Sequence, residues 1–284
     1  MFDGALLVSL REGVEIALMI GIILSYLQKL GRRDGIKYVW LGTVLAALVT
    51  IAVGVVLYAV TGSGSEWAYQ TYLEASVMFI AVIMLSYMTL WMKRNSAQLG
   101  KNMQAKIQTV LAGRGVAWLT LLAFLTVIRE GIETVMFLLG LTYQDTNHIN
   151  SVISGALVGF VISAVLGWAL YKGMYRIRLG AFFQVMGTLL IIVAAGLLAS
   201  AVGSLIEARV LHPFFYLFNL SGVLNEGRPL GAVLHALVGY SDHPSILQVA
   251  AWAIYLVTAL VLYNREGISK KLKKGKSLVE SAMS

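Results

Sequence analysis

Two short stretches hold most of the chemistry available to this sequence: Arg11-Glu12-Gly13-Val14-Glu15 and Arg129-Glu130-Gly131-Ile132-Glu133. Each combines one guanidinium with two carboxylates, and each lies inside an apolar run long enough to cross a bilayer. On a helix, Glu12 and Glu15 are three residues apart and share a face, while Arg11 and Glu15, four apart, are neighbours; the second motif repeats this. Each motif can keep one Glu beside its Arg and turn the other into a shared cavity. Gly13 and Gly131 remove a side chain where the two helices would cross. A charge at mid-bilayer costs about 2.5–3.5 kcal/mol, so six facing lipid would cost roughly 15–20 kcal/mol. They must face one another or a wet cavity. Four carboxylates, in a chain without cysteine and without histidine in its spans, make a hard-oxygen site. Such a site suits Fe3+, Mn2+, Ca2+ or Mg2+ and suits Cu+ poorly. The mechanical alternative is an Arg–Glu latch in each motif that locks two helices, which leaves the second Glu without a role.

The elements that must position these groups follow from composition. Of 284 residues, 58% are hydrophobic and 13% charged, with three prolines, and the mean hydropathy is +0.79. A soluble domain carries roughly a quarter charged residues. Hydropathy predicts an all-α, polytopic membrane protein with seven spans: Ala5–Leu27, Ile36–Thr61, Tyr72–Met92, Val116–Leu141, Val152–Tyr171, Leu179–Ser204 and Leu247–Tyr263. The first run starts almost at Met1, with no positive segment before it and with charges inside it. A retained helix is expected there, not a cleaved signal peptide. The net charge of +8 raises the question of nucleic acid. Lys and Arg instead gather in alternate connections (Lys29 to Lys37, Lys93 to Arg114, Lys172 to Arg178) and in the tail from Arg265 to Lys276, whereas 62–71 and 142–151 have none. That is a topology signal: N-terminus outside, C-terminus cytoplasmic, with the basic tail against anionic lipid and no nucleic acid as partner.

The chain also repeats itself. The second motif follows the first by 118 positions, and Gly42, Ala46, Thr50, Gly54 and Tyr58 match Gly155, Gly159, Ser163, Gly167 and Tyr171 at 113. Tyr72-Leu73-Glu74 stands opposite Phe182-Phe183-Gln184 at 110. Three spans per copy make the copies inverted, an arrangement that places a transporter's substrate site at the repeat interface. The predicted organisation is a first three-helix repeat (1–92), a basic cytoplasmic loop (93–114), an inverted second repeat (115–204), an extracytoplasmic lid segment (205–246), a seventh helix (247–264) and a basic cytoplasmic tail (265–284). The ladders of small residues read as packing seams.

Secondary candidates lie toward the outside. Glu74 enters the third span close to the outer surface, and Glu207 sits just past the sixth; either can hand a cation inward. His148, His212, His235 and His243, with Glu66, Asp145, Glu226 and Asp242, fall on the same side, either as a collecting vestibule or as ordinary solvated loop. The apolar stretches of 205–246 are too short to span and are expected to be interfacial or re-entrant helices of an outer lid.

With Arg-Glu-Gly-x-Glu complete at 11–15 and again at 129–133, in the first and fourth of seven spans, the chain resembles the oxidase-dependent iron transporter family, the bacterial high-affinity iron permeases and the related fungal permeases. Leu179-Gly180-Ala181-Phe182-Phe183, and Gly239-Tyr240 followed by His243-Pro244-Ser245, resemble the bacterial branch. The resemblance implies inward iron transport across the bacterial cytoplasmic (inner) membrane. It implies metal-binding roles for Glu12, Glu15, Glu130 and Glu133, with Arg11 and Arg129 in support. It also implies a periplasmic partner that binds or oxidises iron, so that Fe3+ reaches the site. Iron is then the transported substrate, with no permanently bound cofactor. No nucleophile–base pair or phosphate loop is legible, and a transporter rather than an enzyme is expected. The alternatives are a transporter of another cation such as lead or manganese, or a membrane receptor for a periplasmic iron-binding partner.

Overall fold

In a bilayer every backbone N–H and C=O must be paired within the protein, so an apolar chain of this kind has little choice but helix. The computed structural model describes residues 1–62, 67–95, 98–113, 115–144, 149–171, 179–212, 215, 217, 231, 234–235 and 238–283. Among these residues the chain is helical, apart from one pair of backbone hydrogen bonds joining 215–217 to 244–246. The helices are α1 (Phe2–Lys29), α2 (Ile36–Gly62), α3 (Trp67–Asn95), α4 (Leu99–Gly113), α5 (Trp118–Gln144), α6 (Ile149–Tyr171), α7 (Leu179–Glu207) and α8 (Ile246–Met283), with a short 3-10 turn at Arg33–Gly35 before α2. Gly31, at φ +69°, stops α1. Its N–H bonds back to the Gln28 carbonyl and that of Arg32 to Leu27, which satisfies carbonyls the helix end leaves open.

Five helices, α2, α3, α6, α7 and α8, contain segments long and apolar enough to cross a membrane. At 28 and 27 residues α1 and α5 are as long, and each carries three charged motif residues midway. The predicted basic loop at 93–114 contains the 15-residue α4. It buries Met103 and Ile107, one helical turn apart, against α1 and α5 while Lys101 and Lys106 stay exposed. The predicted seventh helix runs on without a break through the tail to Met283. Nearly half of the predicted lid (213–214, 216, 218–230, 232–233 and 236–237), and Glu66, Asp145, His148 and Glu226, lie outside the described residues.

The helices pair closely: α1 along α6, α2 along α5, α3 along α7, with α1 and α3 also against α5, and α8 on α7. Small residues set these distances. Gly155 and Gly159 of α6 lie on the backbone of α1 at Phe2 and Leu6, and Gly42 of α2 on the Thr120 carbonyl of α5. The motif glycines belong to the same seams. Gly13 is occupied to contact by the Ser163 side chain of α6, and Gly131 by Thr50 of α2. The expected close crossing of α1 with α5 at these glycines is therefore corrected: each glycine admits the outer partner helix of its own motif helix.

Two apolar cores flank the motifs along the bundle. One joins Ala5 and Val8 of α1, Ala81 and Leu85 of α3, Phe137 and Leu141 of α5, and Leu190 and Leu197 of α7. It lies toward the end where α1 starts and α5 finishes. The other joins Ile23 and Leu27 of α1, Val39 of α2, Ile107 of α4, and Leu119 and Ala123 of α5, toward the opposite end. The charged residues are held between them.

Candidate metal centre

α1 and α5 run past each other with their motifs at the same level, which brings six charged side chains into one group. Arg11 is 2% exposed, Glu12 0% and Glu15 1%. Arg11 Nη1 donates to Glu12 Oε1 at 2.7 Å, and its Nη2 lies 4.0 Å from Glu15 Oε2. The closer partner is thus the adjacent Glu12, not the residue one turn on. In the second motif the order is reversed: Arg129 Nε donates to Glu133 Oε1 at 3.2 Å and is 3.8 Å from Glu130 Oε1.

The carboxylates converge across the two helices. One oxygen each from Glu12, Glu130 and Glu133 lie within 4.8 Å of one another. Three atoms so spaced share a point no farther than about 2.8 Å from each, and a contraction of a few tenths of an ångström brings them into the range of cation–oxygen bonds. Glu15 stands beside this triplet, against Arg11. One oxygen of Glu12, of Glu130 and of Glu133, and both oxygens of Glu15, are buried without a hydrogen-bond partner. Unpaired buried carboxylate oxygens are costly, and several aimed at one place call for a cation or for protons. With all six groups ionised the cluster carries two net negative charges, which a divalent ion balances.

Helix α3 completes one side of the centre with two residues that no sequence motif marks. Arg129 Nη2 lies 3.5 Å from Met88 Sδ, and the Arg129 guanidinium carbon lies 5.2 Å from the centre of the Trp91 ring. The one available signal was their spacing of three on a helix, which is too common to single them out. Glu74, half-buried and near the start of α3, is about 20 Å along that helix from Met88 at 1.5 Å per residue. Glu207 is exposed at the end of α7. Neither joins the cluster. His235 bonds with its Nδ1 to the Tyr240 carbonyl at 2.7 Å and, on its other side, receives the Gln144 amide on its own carbonyl at 3.0 Å. It ties Tyr240 to the end of α5. His243 lies 4.0 Å from Asp242, and His212 is exposed.

Long apolar helices around a buried, carboxylate-rich centre define a multi-pass membrane protein. The chain matches the "Iron permease FTR1 family" over residues 2–265 and belongs to that family. Curated relatives agree. Proteins named "Ferrous iron permease EfeU" from Escherichia coli O157:H7 and Shigella sonnei are 35% identical over 260 residues, covering 90% of this chain and 93% of theirs. The protein of that name from Yersinia pestis is 35% identical over 260 residues, covering 90% of this chain and 91% of its own. No solved structure matches the chain.

Proposed function

We propose that the protein imports iron across the bacterial inner membrane, and that Glu12, Glu15, Glu130 and Glu133 hold the ion in transit. The observation that carries this reading is the convergence of Glu12, Glu130 and Glu133 oxygens from two helices to within 4.8 Å, between two sealed apolar cores. A latch alone needs one carboxylate per arginine. The site has two per arginine, with five oxygens free of hydrogen bonds.

Seven spans are inferred by adding α1 and α5, whose arginines are paired with glutamates of the same motifs, to the five apolar ones. The pairing of α1 with α6, and of α5 with α2, supports an inverted relation between residues 1–92 and 115–204, and so does the matched seating of Gly13 on Ser163 and Gly131 on Thr50. Residues 93–114 and 265–284 are assigned to the cytoplasm by their basic charge, and 205–246 to the outer face as a lid joined by the seventh span at 247–264. Glu74 and Glu207 are then acidic residues near the outer mouth that draw cations toward it, before they reach the cluster.

The relatives' name says ferrous iron, and two net negative charges balance Fe2+. All-oxygen ligation favours Fe3+ once an oxidising or iron-binding periplasmic partner has produced or delivered it. We infer that Fe3+ is the ion at the cluster and that the partner does the redox work, because the chain has no cysteine and no redox centre of its own. The experiment is radiolabelled iron uptake by proteoliposomes of the purified protein, with Fe2+ under ascorbate and Fe3+ under citrate in parallel. Glu12→Gln and Glu130→Gln should each lower uptake at least tenfold while the protein still inserts. Parent-level uptake in both variants refutes the cluster. Stronger uptake of Mn2+ or Pb2+ than of either iron ion makes it another cation's carrier, and no flux together with tight partner binding makes it a receptor.

A further inference from the structure

The two motifs match in sequence and differ in accessibility. Arg11, Glu12, Glu15 and Glu130 are at most 2% exposed and Glu133 13%, whereas the Arg129 side chain is 46% exposed. Toward the proposed outer end the four central helices close over the cluster with Val8, Leu85, Phe137 and Leu197. Toward the other end, α1, α2, α4 and α5 close beneath it with Ile23, Leu27, Val39, Ile107 and Leu119. Of the six charged side chains Arg129 is the one most open to the surface, on the side where α5 faces Met88 and Trp91 of α3. A guanidinium left open to hydrocarbon at this depth is strongly unfavourable, so that side must admit water.

We propose that Arg129 is the gate on the release side of the iron site and that Trp91, with Met88, is its parking place. The proposal rests on the reading of the carboxylates as the iron site. In the structure Arg129 is shared: its Nε holds Glu133 while its outer face is turned to the Trp91 ring and the Met88 sulfur. A cation at the cluster competes for Glu133 and repels the guanidinium. Trp91 then receives it through the negative face of its ring, an attraction that needs no carboxylate. That choice of partner matters, because an acid there would be a second, trapping ligand on the way out. With Arg129 drawn onto Trp91, the cluster gains one net negative charge and the path past Glu133 is clear. When the ion leaves, Arg129 returns to Glu133 and closes the path. Trp91 and Met88 are therefore positioning residues that act through Arg129.

The test separates binding from turnover. Purified parent, Trp91→Leu, Trp91→Phe, Met88→Leu and Arg129→Lys are compared for equilibrium binding of radiolabelled Fe3+ under citrate, and for the rate of its uptake by proteoliposomes. Trp91→Leu should bind iron within about twofold of the parent and turn over about tenfold more slowly. Trp91→Phe, which keeps an aromatic face, should recover at least half of the parent rate. Met88→Leu should be two- to threefold slower. Arg129→Lys, charged but without the flat guanidinium, should turn over as slowly as Trp91→Leu and serves if that variant does not fold. Parent turnover in Trp91→Leu, or Trp91→Phe as slow as Trp91→Leu, overturns the gate. Glu12→Gln in the same binding assay tells the two failures apart: undiminished binding there sinks the iron site itself, whereas lost binding with normal Trp91→Leu turnover sinks only the gate.

Discussion

Arg11 and Arg129 hold equivalent places in their motifs and meet opposite surroundings. Arg11 is sealed, bonded to Glu12 at 2.7 Å, and is the one cation beside two buried carboxylates of its own helix. Removing one partner of a buried ion pair leaves the other charge uncompensated, at a cost of about 3–5 kcal/mol. Arg11→Ala should therefore lower the thermal unfolding midpoint in detergent sharply, and Arg11→Ala/Glu12→Gln should recover a large part of the loss, because the double variant removes both charges. Arg129→Ala should disturb stability much less, since 46% of that side chain is exposed rather than packed. Equal losses for the two arginine variants, or no recovery in the double one, would contradict the assignment of a structural role to one and a mobile role to the other. The sequence made the six residues legible, because six charges in apolar helices have few places to go. It could not reveal which arginine is sealed. That depends on how neighbouring helices close around each motif, and the two motifs are nearly identical letter for letter.

The helices themselves were legible from hydropathy, and the observed ends lie within a few residues of the expected ones, except where α3 and α8 extend further. Partners were less so. A stripe of small residues says that some backbone comes close without saying whose, and Gly13 and Gly131 were read as a mutual crossing when each seats a hydroxyl residue of a third or fourth helix. Helix α4 was missed because its apolar residues are few and its span-length signal is nil; only Met103 and Ile107 on one face betray it. The Gly131 seat gives a prediction at this scale. A methyl at 131 would collide with the Thr50 Oγ1 and Cγ2, while the Thr50 Cβ would sit 3.0 Å away. Overpacking of this kind costs typically 1–3 kcal/mol. Gly131→Ala should destabilise α2 against α5 by about that amount, and Thr50→Ala in the same chain should restore most of it. Thermal unfolding of the two single variants and the double one in detergent measures this. Additive losses would mean that α2 and α5 do not meet at this seam.

The whole molecule presents a cluster closed at the proposed outer end, with one of its arginines open to the surface. For an importer this is the arrangement after the ion has entered, and the same four central helices must part at the outer end before the next ion arrives. The inverted relation proposed for the two three-helix units supplies a way: rocking one unit against the other closes one end as it opens the other. The contact that must break joins α3 to α5. Ala81 of α3 and Gly140 of α5 meet in the outer core, where a Cβ at position 140 would lie 3.0 Å from the Ala81 Cβ. Disulfides form with Cβ atoms about 3.5–4.5 Å apart, so a shift of half an ångström suits a cysteine pair there. The chain has no cysteine of its own, so such a pair would be the only one. Ala81→Cys/Gly140→Cys should take up iron at a rate near the parent's when reduced, lose most of that uptake on oxidation and regain it with reductant, each single-cysteine variant being indifferent to both treatments. If the oxidised pair transports at full rate, α3 and α5 do not separate during the cycle, and the ion must reach Glu12 and Glu130 by a route that leaves this core intact.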